Sequence, residues 1–291
     1  MAKKKQPRPT CIFCGSADPV TREHIFRNSW RKKIDTTLGF GVLGVTNTDA
    51  EKFRQFTRYG LDGEPKSSKQ EDLFSVTVKR VCARCNNTWM NDLDTLVEPW
   101  VFDPANEAHC CNPIEFRRWA IKVALLRCYY EHPASVEPGD PEQIYNGDDI
   151  PEWHIFIGRT RFPEHRHAFC GIGPIIEGEG RLFGISQVTW TLGHSFVTAI
   201  RLKSDHPMVD AGFRNFKHHN RFRGIQLLEV LPNSTVMPSV STLPDLPRSE
   251  LQSLAWFYTP NAASPIAEEI RRTQKAIEYM VAELGVETRE L

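Results

Sequence analysis

The stretch "RVCARCNNTW", residues 80–89, decides how the first third of the chain folds. It places Cys82 and Cys85 in the spacing C-x2-C, and Cys11 and Cys14 repeat that spacing near the start of the chain. Two such turns present four thiolates, the set that completes the tetrahedral shell of a structural zinc ion. The sequence therefore predicts a zinc site that joins two distant segments. The alternative is four ordinary buried cysteines.

Composition limits the class of protein. The chain has 291 residues, 40% of them hydrophobic, with 36 basic and 36 acidic side chains. Because the net charge is zero, any affinity for nucleic acid must come from local basic clusters. No apolar run approaches the roughly 20 residues that cross a bilayer, and no hydrophobic stretch follows the N-terminal lysines. We therefore expect a cytoplasmic protein with no membrane partner, in which cysteines bind metal rather than form disulfides.

Periodicity predicts an α+β fold with several regions. An alternating run precedes Cys82, helical spacing follows it, and residues 113–132 form a strongly apolar helical pattern that begins at a proline. A series of short β-like runs between residues 153 and 232 predicts a largely antiparallel sheet packed on that helix. The polar segment 57–72 reads as a long excursion. The predicted regions are a basic flexible tail (1–10), a cysteine-bracketed domain (11–105), a domain of antiparallel sheet plus helices with no assigned role (106–247) and C-terminal helices (248–291).

An acidic-histidine pair lies between the two cysteine pairs. Glu23 and His24 are adjacent in "TREHIF", and Asn86 directly follows Cys85. A histidine at the end of a hairpin strand can act as a neutral base that activates water. A neighbouring carboxylate and an asparagine at a helix start are oxygen ligands for a hard divalent cation. These three residue types together suit the hydrolysis of phosphodiesters.

In this order of motifs, "CIFCG", "REHI" and "VCARCNN", the sequence resembles the HNH nucleases of the ββα-metal class, in the branch whose finger is braced by four cysteines. The resemblance implies that His24 is the general base and that Glu23 and Asn86 bind a catalytic magnesium or manganese ion. It also implies that the four cysteines hold one structural zinc ion per chain. It covers about the first third of the chain.

Two departures from the family pattern leave an alternative open. The connection between the acidic-histidine pair and the second cysteine pair spans about 57 residues, from position 24 to position 82, and the acidic residue is Glu rather than the more usual Asp. The alternative is a non-catalytic, zinc-braced module that binds nucleic acid or protein and carries a separate interaction domain. Asn87 is the other candidate beside the cysteine pair, and we expect it to cap the following helix.

Basic side chains beside the motif are the candidate contacts to nucleic acid. Arginine and lysine bind phosphate oxygens, so these residues favour a DNA partner, with double-stranded DNA preferred. One finger makes one nick, and the C-terminal helices are a candidate homodimer surface for a second cut. The architecture suits an effector in bacterial or phage defence or in a mobile element. The candidate DNA contacts are Arg27, Arg31, Lys32, Lys33, Lys79 and Arg80.

Overall fold

The structure is a computed structural model of the 291-residue chain. It describes residues 9–37, 53–61, 65–109, 111–160, 168–178, 180–203, 209–210, 213–214, 216–217 and 227–246. Both the first eight residues of the predicted tail and the predicted C-terminal helices, residues 248–291, lie outside these ranges.

The first part of the chain is built around two short antiparallel strand pairs. Strand β1 pairs with β4, and β2 pairs with β3. The segment that reads as an excursion in the sequence is therefore largely a hairpin, held to the core by the buried Phe56. The elements are β1 (Val20–His24), α1 (Trp30–Thr37), β2 (Phe53–Tyr59), β3 (Pro65–Asp72), β4 (Thr77–Cys82), α2 (Ala83–Cys85), a π-helical segment (Asn86–Met90) and α3 (Asn91–Phe102).

The second part contains a six-stranded sheet and two α-helices that precede its first strand in the chain. The strand order is β10-β5-β8-β7-β6, and β9 also pairs with β5, beside β10 and opposite β8. The pairings are antiparallel except that of β10 with β5. The elements are α4 (Pro113–Glu131), α5 (Asp140–Asn146), β5 (Trp153–Thr160), β6 (Ala168–Gly178), β7 (Gly180–Leu192), β8 (Ser195–Leu202), β9 (Leu228–Val230) and β10 (Asp245–Leu246).

Helix α4 is the centre of the molecule. Asn112 caps it, because its side-chain oxygen accepts a hydrogen bond from the amide of Ile114, and a proline occupies the first turn. The ring of Trp119 lies 6.3 Å from that of Trp30 on α1 and 5.8 Å from that of Trp190 on β7. One continuous hydrophobic cluster therefore includes both parts of the chain.

The prediction of an α+β fold is confirmed, since sheets and helices are both present. The runs after residue 153 do form a largely antiparallel sheet against α4, in which β-branched and aromatic residues of β5 and β8 are buried on both faces. Within the described residues, no helix has the length and apolar character needed to span a membrane.

Candidate functional site

The cysteines of the two C-x2-C turns meet in one cluster. The sulfur atoms of Cys11, Cys14, Cys82 and Cys85 all lie within 4.8 Å of one another, although 74 positions separate the outermost pair. Gly15 allows the first turn to close, because its φ of +67° is a left-handed conformation that other residues rarely adopt. The turn is closed by a hydrogen bond from the Gly15 amide to the Cys11 carbonyl.

The sulfur geometry fits a tetrahedral metal site. Cys11 and Cys85 have their sulfur atoms 3.9 Å apart, and those of Cys14 and Cys82 are 3.7 Å apart. A tetrahedron with zinc–sulfur bonds of about 2.3 Å has edges of about 3.8 Å. Three of the four cysteines are buried, and Cys14 is half-buried. This set can bind a metal such as zinc, as the spacing of the cysteines predicts.

The acidity of the thiols makes metal uptake dependent on pH. Burial raises the pKa of both Cys14 and Cys85. Burial acts in the same direction at Cys11, but hydrogen bonds with the backbone of Cys14, Cys82 and Phe13 outweigh it and lower that pKa to about 7. Since a metal binds the thiolate form, its binding must release protons from Cys14 and Cys85.

A polar cleft opens beside the cysteine cluster. Its volume is about 180 Å³, and it lies where the end of β1 meets the start of the π-helical segment. Residues from three parts of the chain meet there, namely the acidic-histidine pair, the turn at Arg27 and Asn28 shortly before α1, and the helix after the second cysteine pair. The lining residues are Glu23, His24, Arg27, Asn28, Asn86, Asn91 and Asp94.

Glu23 is the carboxylate at the inner end of the cleft, and it is only 6% exposed. Burial raises its pKa to about 7, and the charge of Asp94 adds to this effect. The positive charge of Lys122 and a hydrogen bond with the Asn86 side chain act in the opposite direction. Glu23 and Asn86 both line the cleft, and together they offer the oxygen atoms that a hard divalent cation prefers.

His24 is the last residue of β1, and it pairs with Thr77 on β4. It is half-buried, with its side chain in the cleft. Burial, and then the charge of Arg31, lower the pKa of His24 below its ordinary value of 6.5. The imidazole is therefore neutral at pH 7, which is the form that can accept a proton.

The π-helical segment turns Asn86 toward the cleft and Asn87 away from it. Thr88 departs from helical geometry, with φ −111° and ψ −110°, and its hydroxyl donates to the Arg84 carbonyl. A π turn aligns residues about five apart, so Asn86 and Asn91 both line the cleft. Asn87 is exposed and caps no helix, which corrects the expected role: Cys82 is the capping residue, and its sulfur accepts from the Cys85 amide.

A buried lysine from α4 supports the cleft from behind. The Nζ of Lys122 donates to Asp94 Oδ1 at 2.5 Å, and the indole of Trp119 donates to the same oxygen at 2.9 Å. Lys122 has no exposed surface, so its charge acts on Asp94 and Glu23 without screening by water. Sequence reasoning did not identify Lys122. The available signal was a single lysine inside the apolar run "WAIKVALL".

Most of the candidate DNA contacts near α1 make internal interactions. Arg27 donates to Asn91 and Thr95 at 2.9 and 3.1 Å. Arg31 lies 2.7 Å from Asp72, and Lys33 forms an ion pair with Glu98. These cations hold α1 against β3 and α3.

The other candidate cations lie on the surface. Lys79 and Arg80, on β4, and Lys32, on α1, are all exposed. The candidate contacts therefore divide into Arg27, Arg31 and Lys33, which have internal partners, and the exposed residues, which are Lys32 on α1 and Lys79 and Arg80 on β4.

Comparisons with known proteins give no match for this chain. No protein-family model matches the chain, and searches of curated proteins and of solved structures find no similar protein.

Proposed function

We propose that the protein is a metal-dependent endonuclease of the HNH type that hydrolyses phosphodiester bonds in DNA. The observation that carries this proposal is the convergence of Glu23, His24 and Asn86 on one cleft, although Asn86 lies about 60 positions after the other two. Strands β1 and β4 pair antiparallel, and a helix follows β4 directly. This arrangement agrees with the strand-strand-helix order of the ββα-metal class.

The proposed mechanism follows from the state of each group. Neutral His24 takes a proton from the water that attacks the phosphorus atom. Glu23 and Asn86 hold a magnesium or manganese ion through a carboxylate and an amide oxygen. When bound, that cation supplies positive charge next to the scissile phosphate and the leaving oxygen.

The four-cysteine cluster has a separate, structural part in this proposal. A zinc ion held by Cys82 and Cys85 fixes the turn that begins at Asn86, while Cys11 and Cys14 bring the N-terminal segment to the same place. A zinc ion bound by all four thiolates would have no open position for water, because they would fill its shell. We therefore assign hydrolysis to the cleft.

The decisive experiment replaces His24 by Ala. Purified wild-type protein, supplied with magnesium or manganese, should nick supercoiled plasmid DNA, and the variant should nick it about 10²- to 10⁴-fold more slowly because the base is lost. Zinc content and circular dichroism should be unchanged, since His24 lies outside the cysteine cluster.

Asn86 and Asn87 supply a matched pair of controls. Asn86→Ala should raise the concentration of manganese needed for half-maximal cleavage, whereas Asn87→Ala, at an exposed neighbouring position, should cut like the wild type. Equal cleavage by wild type and His24→Ala would contradict the mechanism. Binding of DNA with no cleavage by the wild type would favour the non-catalytic module instead.

A further inference from the structure

The antiparallel pair of strands β1 and β4 contains a bulge, and three cationic side chains lie on its outer face. Thr21 pairs with Val81 and Glu23 pairs with Val78, so the single residue Arg22 faces two residues of β4, Lys79 and Arg80. Strand alternation places Arg22 opposite in direction to the buried Glu23. Arg22, Lys79 and Arg80 are all exposed. We call these three residues the bulge patch.

The bulge patch is unfavourable for the isolated protein. Like charges that face each other across two strands destabilise the pair. Within the part of the chain that the structure describes, none of the three cations forms an ion pair with a carboxylate. The cations near α1 differ, because Arg31 and Lys33 each have an acidic partner. Stabilisation by neighbouring described residues therefore does not explain why three cations lie together here, whereas binding of an anionic ligand does.

The position of the bulge patch indicates which anion it would bind. Arg22 lies two residues before His24 on the same strand, so their Cα atoms are about 7 Å apart at the usual rise of a strand. Bulges are frequent beside active sites, where they change the direction of side chains. An arginine fork and a lysine ammonium both suit phosphate oxygens.

We propose that Arg22, Lys79 and Arg80 bind consecutive phosphates of a nucleic-acid strand and hold it against the cleft. This inference rests on the proposed nuclease function and refines it. The nucleic-acid strand would cross the outer face of the β1–β4 strand pair. The cations near α1 contribute less to nucleic-acid binding, because Arg27, Arg31 and Lys33 interact with other residues of the protein. The contacts are to the backbone, so they add affinity without sequence preference.

The test measures how binding depends on salt. All variants carry His24→Ala so that the probe, a duplex of about 25 base pairs, stays intact. The double variant Lys79→Gln/Arg80→Gln should reduce the slope of log K against log salt by about 2, since each lost phosphate contact removes about 0.9. Adding Arg22→Gln should reduce it by about one more. The variants should be at least as heat-stable as the parent, because like-charge repulsion is relieved.

The β2–β3 hairpin provides the control. Lys66 and Lys69 are also exposed on a strand, so Lys66→Gln/Lys69→Gln removes the same charge and should leave the slope unchanged. If both double variants lower the slope equally, or if neither does while the wild type still nicks plasmid, the bulge patch is not the phosphate site. If the wild type does not nick DNA and the parent does not bind the duplex, the nuclease proposal itself has failed.

Discussion

The four-cysteine cluster and the polar cleft are neighbours with opposite designs. Cys85 and Asn86 are adjacent in the chain, yet the first faces a closed group of sulfur atoms and the second an open cleft. Cys82 and Cys85 are almost completely buried, whereas His24 and Asn86 are only half-buried. A closed shell of four thiolates suits a metal that stabilises structure, while an accessible set of oxygen and nitrogen atoms suits chemistry on a ligand.

The two sites also differ in what holds them. The cysteine cluster is formed by two turns that each supply a pair of ligands three positions apart. The cleft also depends on helix α4, because Lys122 and Trp119 of α4 both donate hydrogen bonds to Asp94, which lines the cleft. The predicted domain division at residue 105 therefore separates residues that interact across it. The cleft needs the second part of the chain, whereas the cysteine cluster does not draw a ligand from it.

The largest expected effect is at the cysteine cluster. Cys85→Ser removes one of four ligands, and structural zinc contributes about 10–16 kcal/mol of binding free energy in small metal domains. We expect the zinc content to fall from about one ion per chain to near zero. Both sites should then be lost together, since Asn86 follows directly on the released turn.

Circular dichroism and limited proteolysis would report this loss. Cys111→Ser is the matched control, because Cys111 is half-exposed and lies outside the cluster. A Cys85→Ser protein that keeps its zinc and cleaves normally would contradict the assignment of the cluster as a structural metal site.

The next effect concerns the support of the cleft by α4. Lys122→Met leaves Asp94 buried without its cation, and breaking a buried ion pair costs about 3–5 kcal/mol. Urea denaturation in zinc-containing buffer should show this loss of unfolding free energy, with zinc content unchanged.

The double variant Asp94→Asn/Lys122→Met separates the charge from the packing. It should recover part of the lost stability, because neither charge then remains unpaired. Unchanged stability in Lys122→Met alone would mean that the cleft is as independent of α4 as the cysteine cluster is.

The smallest effect is a pH dependence at Glu23. Its pKa is about 7 in the folded protein, compared with 4.5 ordinarily, so the folded state keeps a proton that the unfolded state releases between those values. Stability should therefore fall as pH rises from about 4.5 to 7, by about 3 kcal/mol for this group. Below pH 4.5 both states are protonated and the contribution is constant.

Glu23→Gln isolates this contribution. In zinc-containing buffer without magnesium or manganese, the variant should gain stability relative to the wild type as pH rises through the same window. Parallel stability curves for the two proteins would show that Glu23 titrates normally. The cleft would then not differ from the cysteine cluster by holding a carboxylate whose burial destabilises the fold.

The features that could be predicted from the sequence are local ones. The C-x2-C spacing indicates a metal site because two ligands three positions apart share one turn. Asn112 and Pro113 predict the start of α4 because capping depends on neighbouring residues only. Asn86 and Asn87 show where local reasoning stops: the position of Asn86 directly after Cys85 indicates its place in the cleft, but the expected cap at Asn87 is wrong, because Asn87 is exposed and lies inside a π-helical segment.

The sequence by itself determined the α+β class, through the periodicity of its apolar residues. Covalent spacing determined the placement of the cysteines in two C-x2-C turns and the adjacency of Glu23 to His24. Only the tertiary structure decided that Lys122 neutralises Asp94 and that a bulge sets Arg22 against Lys79. Those contacts join residues far apart in the chain. Their partners are chosen by the packing of α4 and by strand register, which depend on the energy of the whole core rather than on neighbouring residues.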